Sequence, residues 1–279
     1  MDALAVDAAT LLGATARSAA PLSGGAMGPV LRVVLDDGRA LVAKRGPSPR
    51  REAAMLRALA AAGVPTPAVL AVDARTLVLE ACPANGALES AWDDVGTVVA
   101  RLHAHAHERE REGEGEGTGE RYGWQEDDAF GPLAIPNAWS DDWPAFWAER
   151  RLLVHAERMP RDLARRVEAL AAALPERLPR RPRASLVHGD LWSGNVLVAG
   201  TRVSAIIDPA AYLGHGEVDL AMLTLFASPD QRFFAAYEPE PDWHERRPVY
   251  QLWHAIVHLL LFGEGYRGMV ERLLREAGA

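Results

Sequence analysis

Cysteine occurs once in the 279 residues, at Cys82. No internal disulfide framework can form, and a reducing compartment, the cytosol, is the expected setting. Basic residues are outnumbered, 30 Lys and Arg against 38 Asp and Glu, and the formal charge of −8 leaves no basic excess for a nucleic acid to meet. Runs of about 18 apolar residues are lacking, so no bilayer span is expected. Residues 1–20 carry Asp2 and Asp7 where a signal peptide would be basic, and no long apolar stretch follows them. Lysine is as scarce as cysteine: among those 30 basic residues Lys44 is the only one. Arginine serves wherever a solvated positive charge suffices. A single lysine therefore marks a position that wants a compact ammonium on a slim stem, which a planar guanidinium cannot imitate.

The chain is 49% hydrophobic, enough to bury a large core in one big domain or two lobes. Val30 to Arg45 reads as a hairpin: alternating apolar residues, an Asp36-Asp37-Gly38 turn, and a return strand ending at Lys44. The preceding Ser23 to Gly28 stretch, with Gly24 and Gly25, could cover phosphates with backbone N–H groups. A helix follows, with Ser48 as N-cap, Pro49 at its first position and Gly63 past its end. Its apolar stripe runs through Met55, Leu56 and Leu59, and Glu52 falls on the same face. A carboxylate aimed at a core needs a cation, and Lys44 is the partner expected for it. Strands over Val69–Val72 and Thr76–Glu80 complete a small antiparallel sheet with one inserted helix. The turn-rich Ala81 to Gly86 then connects two lobes, residues 1–82 and 83–279.

After Leu88 the pattern is helical. Trp92, Val95, Val98, Val99 and Leu102 share a face, and the Glu/Gly-rich 112–119 reads as a surface insertion. Further helices are expected over Trp143–Met159, Arg161–Leu174, Glu217–Phe226, Arg232–Tyr237, Arg246–Phe262 and Tyr266–Ala277. The histidines His103, His105 and His107 lack the carboxylate or thiol that would complete a metal set, and packing roles are expected for them. His254 and His258 are spaced like a zinc-protease pair without its glutamate, and read as core or acceptor-pocket residues.

The chemistry concentrates in His188-Gly189-Asp190-Leu191-Trp192-Ser193-Gly194-Asn195, an apolar strand end running into a polar loop. Another strand then delivers Asp208 before Pro209. Phosphoryl transfer needs a carboxylate to orient the attacking hydroxyl and take its proton, and oxygen ligands to hold Mg²⁺ against a triphosphate. Asp190 fits the first role; Asn195 with Asp208 fits the second. A turn aspartate or a capping asparagine would each be ordinary alone. Their joint spacing, with Lys44 and Glu52 upstream, points to a phosphotransferase. A Walker-type site is excluded, because the sole lysine follows no Gly-x-x-x-x-Gly run.

The loop His188 to Asn195 resembles that of the fructosamine (ketosamine-3-) kinases, relatives of the aminoglycoside and choline kinases, with Trp192-Ser193 its most selective part. The likeness continues in Asp208-Pro209-Ala210, Gly214-His215-Gly216-Glu217 and Asp219-Leu220-Ala221, in Asn137-Ala138-Trp139, Asp142-Trp143 and Arg150-Arg151-Leu152, and in Tyr250 to Tyr266. It departs at Ile135, where the family carries glutamine, a position that bears on the acceptor site. The resemblance implies an α+β bilobal protein-kinase-like fold and Mg-ATP-dependent phosphorylation of a free or protein-bound ketosamine. It places Lys44 on the phosphates with Glu52 orienting it, and Glu80, Ala81, Cys82 and Pro83 against the adenine. His188 would brace the loop, with Trp192, Ser193, Trp139, His215 and Glu217 as acceptor or support residues. A kinase for another alcohol, such as an aminoglycoside, and a non-catalytic nucleotide-binding module remain as alternatives.

Overall fold

The computed structural model describes residues 2–22, 28–111 and 120–279, with side chains throughout except for 106–111. Residues 23–27 of the stretch expected to cover phosphates, Gly24 and Gly25 among them, the insertion 112–119 and the side chain of His107 lie outside the described residues.

The N-terminal lobe is built on a five-stranded antiparallel sheet. Helix α1 (Ala3–Leu11) leads into β1 (Ala16–Pro21), β2 (Val30–Leu35) and β3 (Ala40–Arg45); α2 (Pro49–Ala61), β4 (Val69–Val72) and β5 (Thr76–Glu80) follow, in sheet order β1-β2-β3-β5-β4. Helix α1 and β1 go beyond the sequence expectation of one helix. Strand β1 adds an edge to the sheet, and α1 covers one face of it, where Leu4, Ala5, Ala8 and Ala9 pack on Leu31, Val33, Leu35, Leu41 and Val78. Asp2 caps α1 through Leu4 N (2.8 Å). The cap expected of Ser48 is a backbone one only, since its side chain makes no cap hydrogen bond; Pro49 fixes the first turn instead.

Helix α2 serves both lobes. Ala53 and Leu56 pack on β5 through Leu77 and Leu79. Met55 and Leu59 join a second cluster with Val95, Val99 and Leu102, which lie on α3 (Trp92–Arg111) in the C-terminal lobe. Gly63, at φ +73, ends the helix, and its carbonyl accepts from Arg101 Nη1 (3.0 Å). Pro65 O accepts from Ile206 N (2.8 Å). At the other end Arg51 Nη1 reaches Asp128 Oδ1 at 3.0 Å.

Asp128 opens a hairpin that the sequence pattern did not signal, β6 (Asp128–Phe130) with β7 (Leu133–Ile135). The single helix expected over Trp143–Met159 is broken into α4 (Trp143–Trp147), a π-helical turn over Ala148–Leu152 and a short 3₁₀ turn. The π turn carries the fully buried Arg151, whose guanidinium donates to Pro136 O (2.7 Å) and Asn137 Oδ1 (2.8 Å) and stacks on Tyr212 (4.2 Å to the ring centre). Room for this buried guanidinium, whose two terminal nitrogens find acceptors while Nε has none, goes with a widened turn where apolar periodicity reads as continuous helix. Beyond it come α5 (Arg161–Ala173), β8 (Ala184–Val187), β9 (Val196–Ala199), β10 (Arg202–Ile206), β11 (Tyr212–His215), α6 (Glu217–Phe226), α7 (Gln231–Tyr237), α8 (Trp243–Phe262) and α9 (Arg267–Glu276). β8 pairs with β11 and β9 with β10, both antiparallel, and these pairs carry the loop 188–195 and Asp208. Trp143, Phe146, Trp147, Tyr212 and Tyr250 form the centre of the larger core, each fully buried. No helix among the described residues is long and apolar enough to cross a membrane.

Candidate active site

A cleft of about 980 Å³ has one wall of N-lobe residues, among them Val30, Lys44, Glu52 and Leu77. Its other wall is C-lobe, with Asp190, Trp192, Asn195, Asp208, His254 and Phe262. Lys44 sits on β3 opposite Leu77 of β5, and its ammonium bridges two elements: Nζ donates to Glu52 Oε1 of α2 (2.6 Å) and to Asp208 Oδ1 beyond β10 (2.5 Å). The lone lysine and the core-facing glutamate are thus an ion pair, with Asp208 as third member. Burial works against the charge of Lys44, but the attraction of Glu52 and Asp208 prevails and raises its pKa. Burial and the repulsion of Asp208 outweigh the pull of Lys44 on Glu52, so its pKa is raised as well. Both shifts follow from one ammonium serving two carboxylates.

Asp190 stands on the loop after β8. Its carboxyl is pushed up to about 7 by burial first and by the negative charge of Asp208 second, with Asn195 pulling the other way. Asn195 Nδ2 donates to Asp190 O (2.8 Å) and lies 3.3 Å from Asp190 Oδ2. That commits the amide nitrogen to the loop. No described residue bonds the side-chain oxygen Oδ1 of Asn195 or Oδ2 of Asp208, so a neutral and an anionic oxygen line the cleft, the donor chemistry that suits Mg²⁺. Asp208 holds a left-handed backbone (φ 56), tolerable for aspartate, that turns its side chain off the end of β10 into the cleft.

The loop is braced from beneath. His188 is fully buried, and burial lowers its pKa, so it is neutral; its Nε2–H donates to Ile207 O (2.9 Å) and its Nδ1 accepts from Asp190 N (3.3 Å). Gly189 has φ +79, and a Cβ there would meet Ala210 O at 2.1 Å, so no other residue fits. Asp219, fully buried on α6, accepts from His188 N (2.7 Å) and Gly189 N (2.9 Å) and pairs with His103 Nε2 (3.1 Å). Burial alone would raise its pKa, but the hydrogen bonds and charge of these partners hold it below the ordinary carboxylate value. Asp219 belongs to the site as its anchor. It stood within a family-like segment, Asp219-Leu220-Ala221, yet no local pattern distinguishes it from an ordinary first-turn helix aspartate.

Asp219→Asn tests that role. The amide cannot accept from both backbone N–H groups and still answer His103, so one buried donor loses its partner at a cost of about 1–3 kcal/mol. The expected result is a fall of several degrees in Tm and a kcat reduced at least tenfold with the KM for nucleotide little changed. Thermal melts and steady-state kinetics on the same preparation measure both.

The other expected site residues divide between the cleft and its surroundings. Trp192, 40% exposed, and Ser193 line the cleft. Glu80, Ala81, Cys82 and Pro83 do not line it: the Glu80 carboxylate accepts from Ala68 N (3.3 Å) and Pro83 O accepts from Ser204 Oγ (2.5 Å). Trp139 is exposed away from the cleft under the guanidinium of Arg121 (5.1 Å). His215 and Glu217 are buried behind the site, His215 Nδ1 against the Tyr250 hydroxyl (2.8 Å) and Glu217 held by Arg246. Cys82 is half-buried, its thiol pKa raised by burial.

A lysine–glutamate pair under a five-stranded sheet, facing an Asp–Asn loop and a strand-end aspartate across a cleft, defines a protein-kinase-like fold. The fructosamine kinase family profile matches residues 17–278, and the chain belongs to that family. A Synechocystis protein named as a ketoamine kinase is 34% identical over 213 residues, 72% of this chain and 66% of that protein. The next curated relatives are matched over 60% to 53% of their own lengths. A solved Thermobifida fusca structure named as a fructosamine-3-kinase superposes with a TM-score of 0.84 at 31% identity, covering 99% of both chains. An aminoglycoside phosphotransferase solved with AMP-PNP and hygromycin B shares the fold at 18% identity, with a TM-score of 0.68 over 95% of this chain and 96% of that one.

Proposed function

We propose that the chain transfers the γ-phosphoryl group of ATP to a sugar hydroxyl of a ketosamine. The carrying observation is Lys44, held at 2.6 Å and 2.5 Å by carboxylates of two different elements, in the same cleft as Asp190. Family membership, the ketoamine kinase name of the Synechocystis relative and AMP-PNP in a structure of the same fold support the reading.

In it Lys44 contacts the nucleotide phosphates and Glu52 orients it. Asn195 and Asp208 would hold Mg²⁺, which when bound balances phosphate charge. Asp190 aligns the acceptor hydroxyl and takes its proton as the oxygen attacks phosphorus and ADP leaves. His188, Gly189 and Asp219 keep that carboxylate in place, so positioning supplies much of the rate gain. The lobes divide the work, residues 1–82 holding nucleotide and 83–279 the acceptor, with α2 packed on both.

ADP release should require Mg²⁺ and proceed with ribulosamines or fructosamines but not with aminoglycosides. The measurement is a coupled ADP assay on such a panel, with EDTA as control. Turnover of aminoglycosides alone would replace the acceptor class. Absence of ADP release with every acceptor on the panel, beside nucleotide binding in a thermal-shift titration, would leave a nucleotide-binding module.

A further inference from the structure

The cleft wall formed by α6, α8 and the turn after α8 has no part in the phosphoryl chemistry, yet it is distinctly built. The His258 ring lies 4.9 Å from Phe226, 5.4 Å from Phe262 and 5.1 Å from Tyr266, centre to centre, and Phe262 and Tyr266 are 6.0 Å apart. All four side chains line the cleft. Phe226 is 36% and Phe262 55% exposed, although burial of a phenylalanine ring is favourable. Large rings left open side by side at a cleft mark a binding surface.

The box has two polar groups, the Tyr266 hydroxyl and the His258 imidazole, and the tautomer of the imidazole is defined. His258 Nδ1 is 2.8 Å from the carbonyl oxygen of His254, so Nδ1 carries the proton, and no described residue bonds Nε2. Desolvation lowers the pKa of His258, which keeps the ring neutral. Three aromatic rings thus pack around the imidazole that carries this lone pair. A neutral polyol would find only the Nε2 lone pair and the Tyr266 hydroxyl amid apolar ring surface. A cation carrying an N–H finds ring faces and an acceptor together.

The remaining negative charge of the cleft is engaged elsewhere. Among its described lining residues the carboxylates are Glu52, Asp128, Asp190 and Asp208. Glu52 and Asp208 share Lys44, Asp128 is paired with Arg51 at 3.0 Å, and Asp190 is committed to the transfer step. A positively charged acceptor is left with the aromatic wall as its attractive surface.

We propose that Phe226, His258, Phe262 and Tyr266 form an aromatic cage for the protonated secondary amine of the acceptor, with His258 Nε2 accepting its N–H. This rests on the ketosamine reading and deepens it. The cage holds the nitrogen, so the sugar extends toward Asp190 and the amine's other substituent faces the open end at Phe262. Several such cation–ring contacts predict a selectivity of about tens-fold for charge.

The test separates the cage from the reaction. Diethylammonium and its uncharged isostere diethyl ether are titrated into the holoprotein with Mg-AMP-PNP, following tryptophan fluorescence. The ammonium is expected to bind at least tenfold tighter than the ether, with Phe262→Leu and Phe226→Leu each cutting that preference severalfold. In turnover, both variants should raise KM for a ketosamine about tenfold, with kcat and the KM for ATP within twofold of wild type. They should leave KM unchanged for the analogue with ether oxygen in place of the amine. Equal binding of ammonium and ether, or equal loss on both substrates in the Leu variants, would overturn the cage and leave an apolar wall. Ammonium binding without turnover of any ketosamine would instead overturn the proposed reaction while keeping the cation site.

Discussion

Asp190→Asn is expected to lower kcat by about 10²–10⁴-fold while ATP still binds, because the amide keeps the loop's shape but cannot take a proton. The same substitution should stabilise the ligand-free protein at alkaline pH. The folded-state pKa of Asp190 is about 7 against an ordinary 3.8, so the native state holds the proton more tightly than the unfolded chain does. The ionised carboxylate therefore costs stability progressively as pH rises from 3.8 toward 7, and the full cost is present above that. At 1.36 kcal/mol per unit, and with relaxation of the site, the variant's gain at pH 8 is on the order of 2 kcal/mol, vanishing near pH 4. Paired thermal melts at the two pH values check this; a variant no more stable at pH 8 would mean that Asp190 ionises normally. In the wild type kcat/KM should fall below about pH 7 as Asp190 protonates. The acid limb of kcat should lie lower, since a cation bound at Asp208 offsets the charge that helps raise the Asp190 pKa.

Lys44→Arg carries the second large effect although it keeps the charge. The ammonium lies within 2.6 Å of Glu52 and 2.5 Å of Asp208, a gap sized to one nitrogen. A guanidinium places its nitrogens in a rigid plane around a carbon and must displace α2 or Asp208 to enter. An activity loss of about 10²–10³-fold is expected, on the scale of one lost preorganised donor to transition-state charge. Lys44→Met should additionally cost about 3–5 kcal/mol, because two carboxylates lose their shared cation. Steady-state kinetics with denaturant titrations read both. An arginine variant of near wild-type rate would show that the solitary lysine carries no chemical requirement.

What the sequence disclosed follows from how local each signal is. The hairpin ending at Lys44, α2 with Glu52 on its buried face, and the strand ends before Asp190 and Asp208 each depend on residues a few positions apart. Periodicity and turn chemistry suffice for these. Helix α1 was missed because its apolar residues, Leu4, Ala5, Ala8 and Ala9, sit among small residues with little contrast between faces. The β6–β7 hairpin has three residues per strand, too few for alternation to register. The break after Trp147 depends on Arg151 meeting Pro136 and Asn137, partners 15 and 14 residues away. Asp219 acquires its role from a loop 30 residues earlier. The aromatic cage joins α6 to the end of α8, and nothing in either segment alone marks it.

The attachment of α2 to both lobes has a consequence for control. Its N-terminal turn is tied to the β6–β7 hairpin by Arg51, its far end to α3 and β10 through Gly63 and Pro65, and its two faces are claimed by different cores. A helix so fastened cannot swing out to separate Glu52 from Lys44 without tearing packed surface on both sides. Switching by withdrawal of that glutamate is closed to this architecture. The ion pair at the heart of the cleft is thus permanently assembled, with no separate off position for the helix that carries half of it.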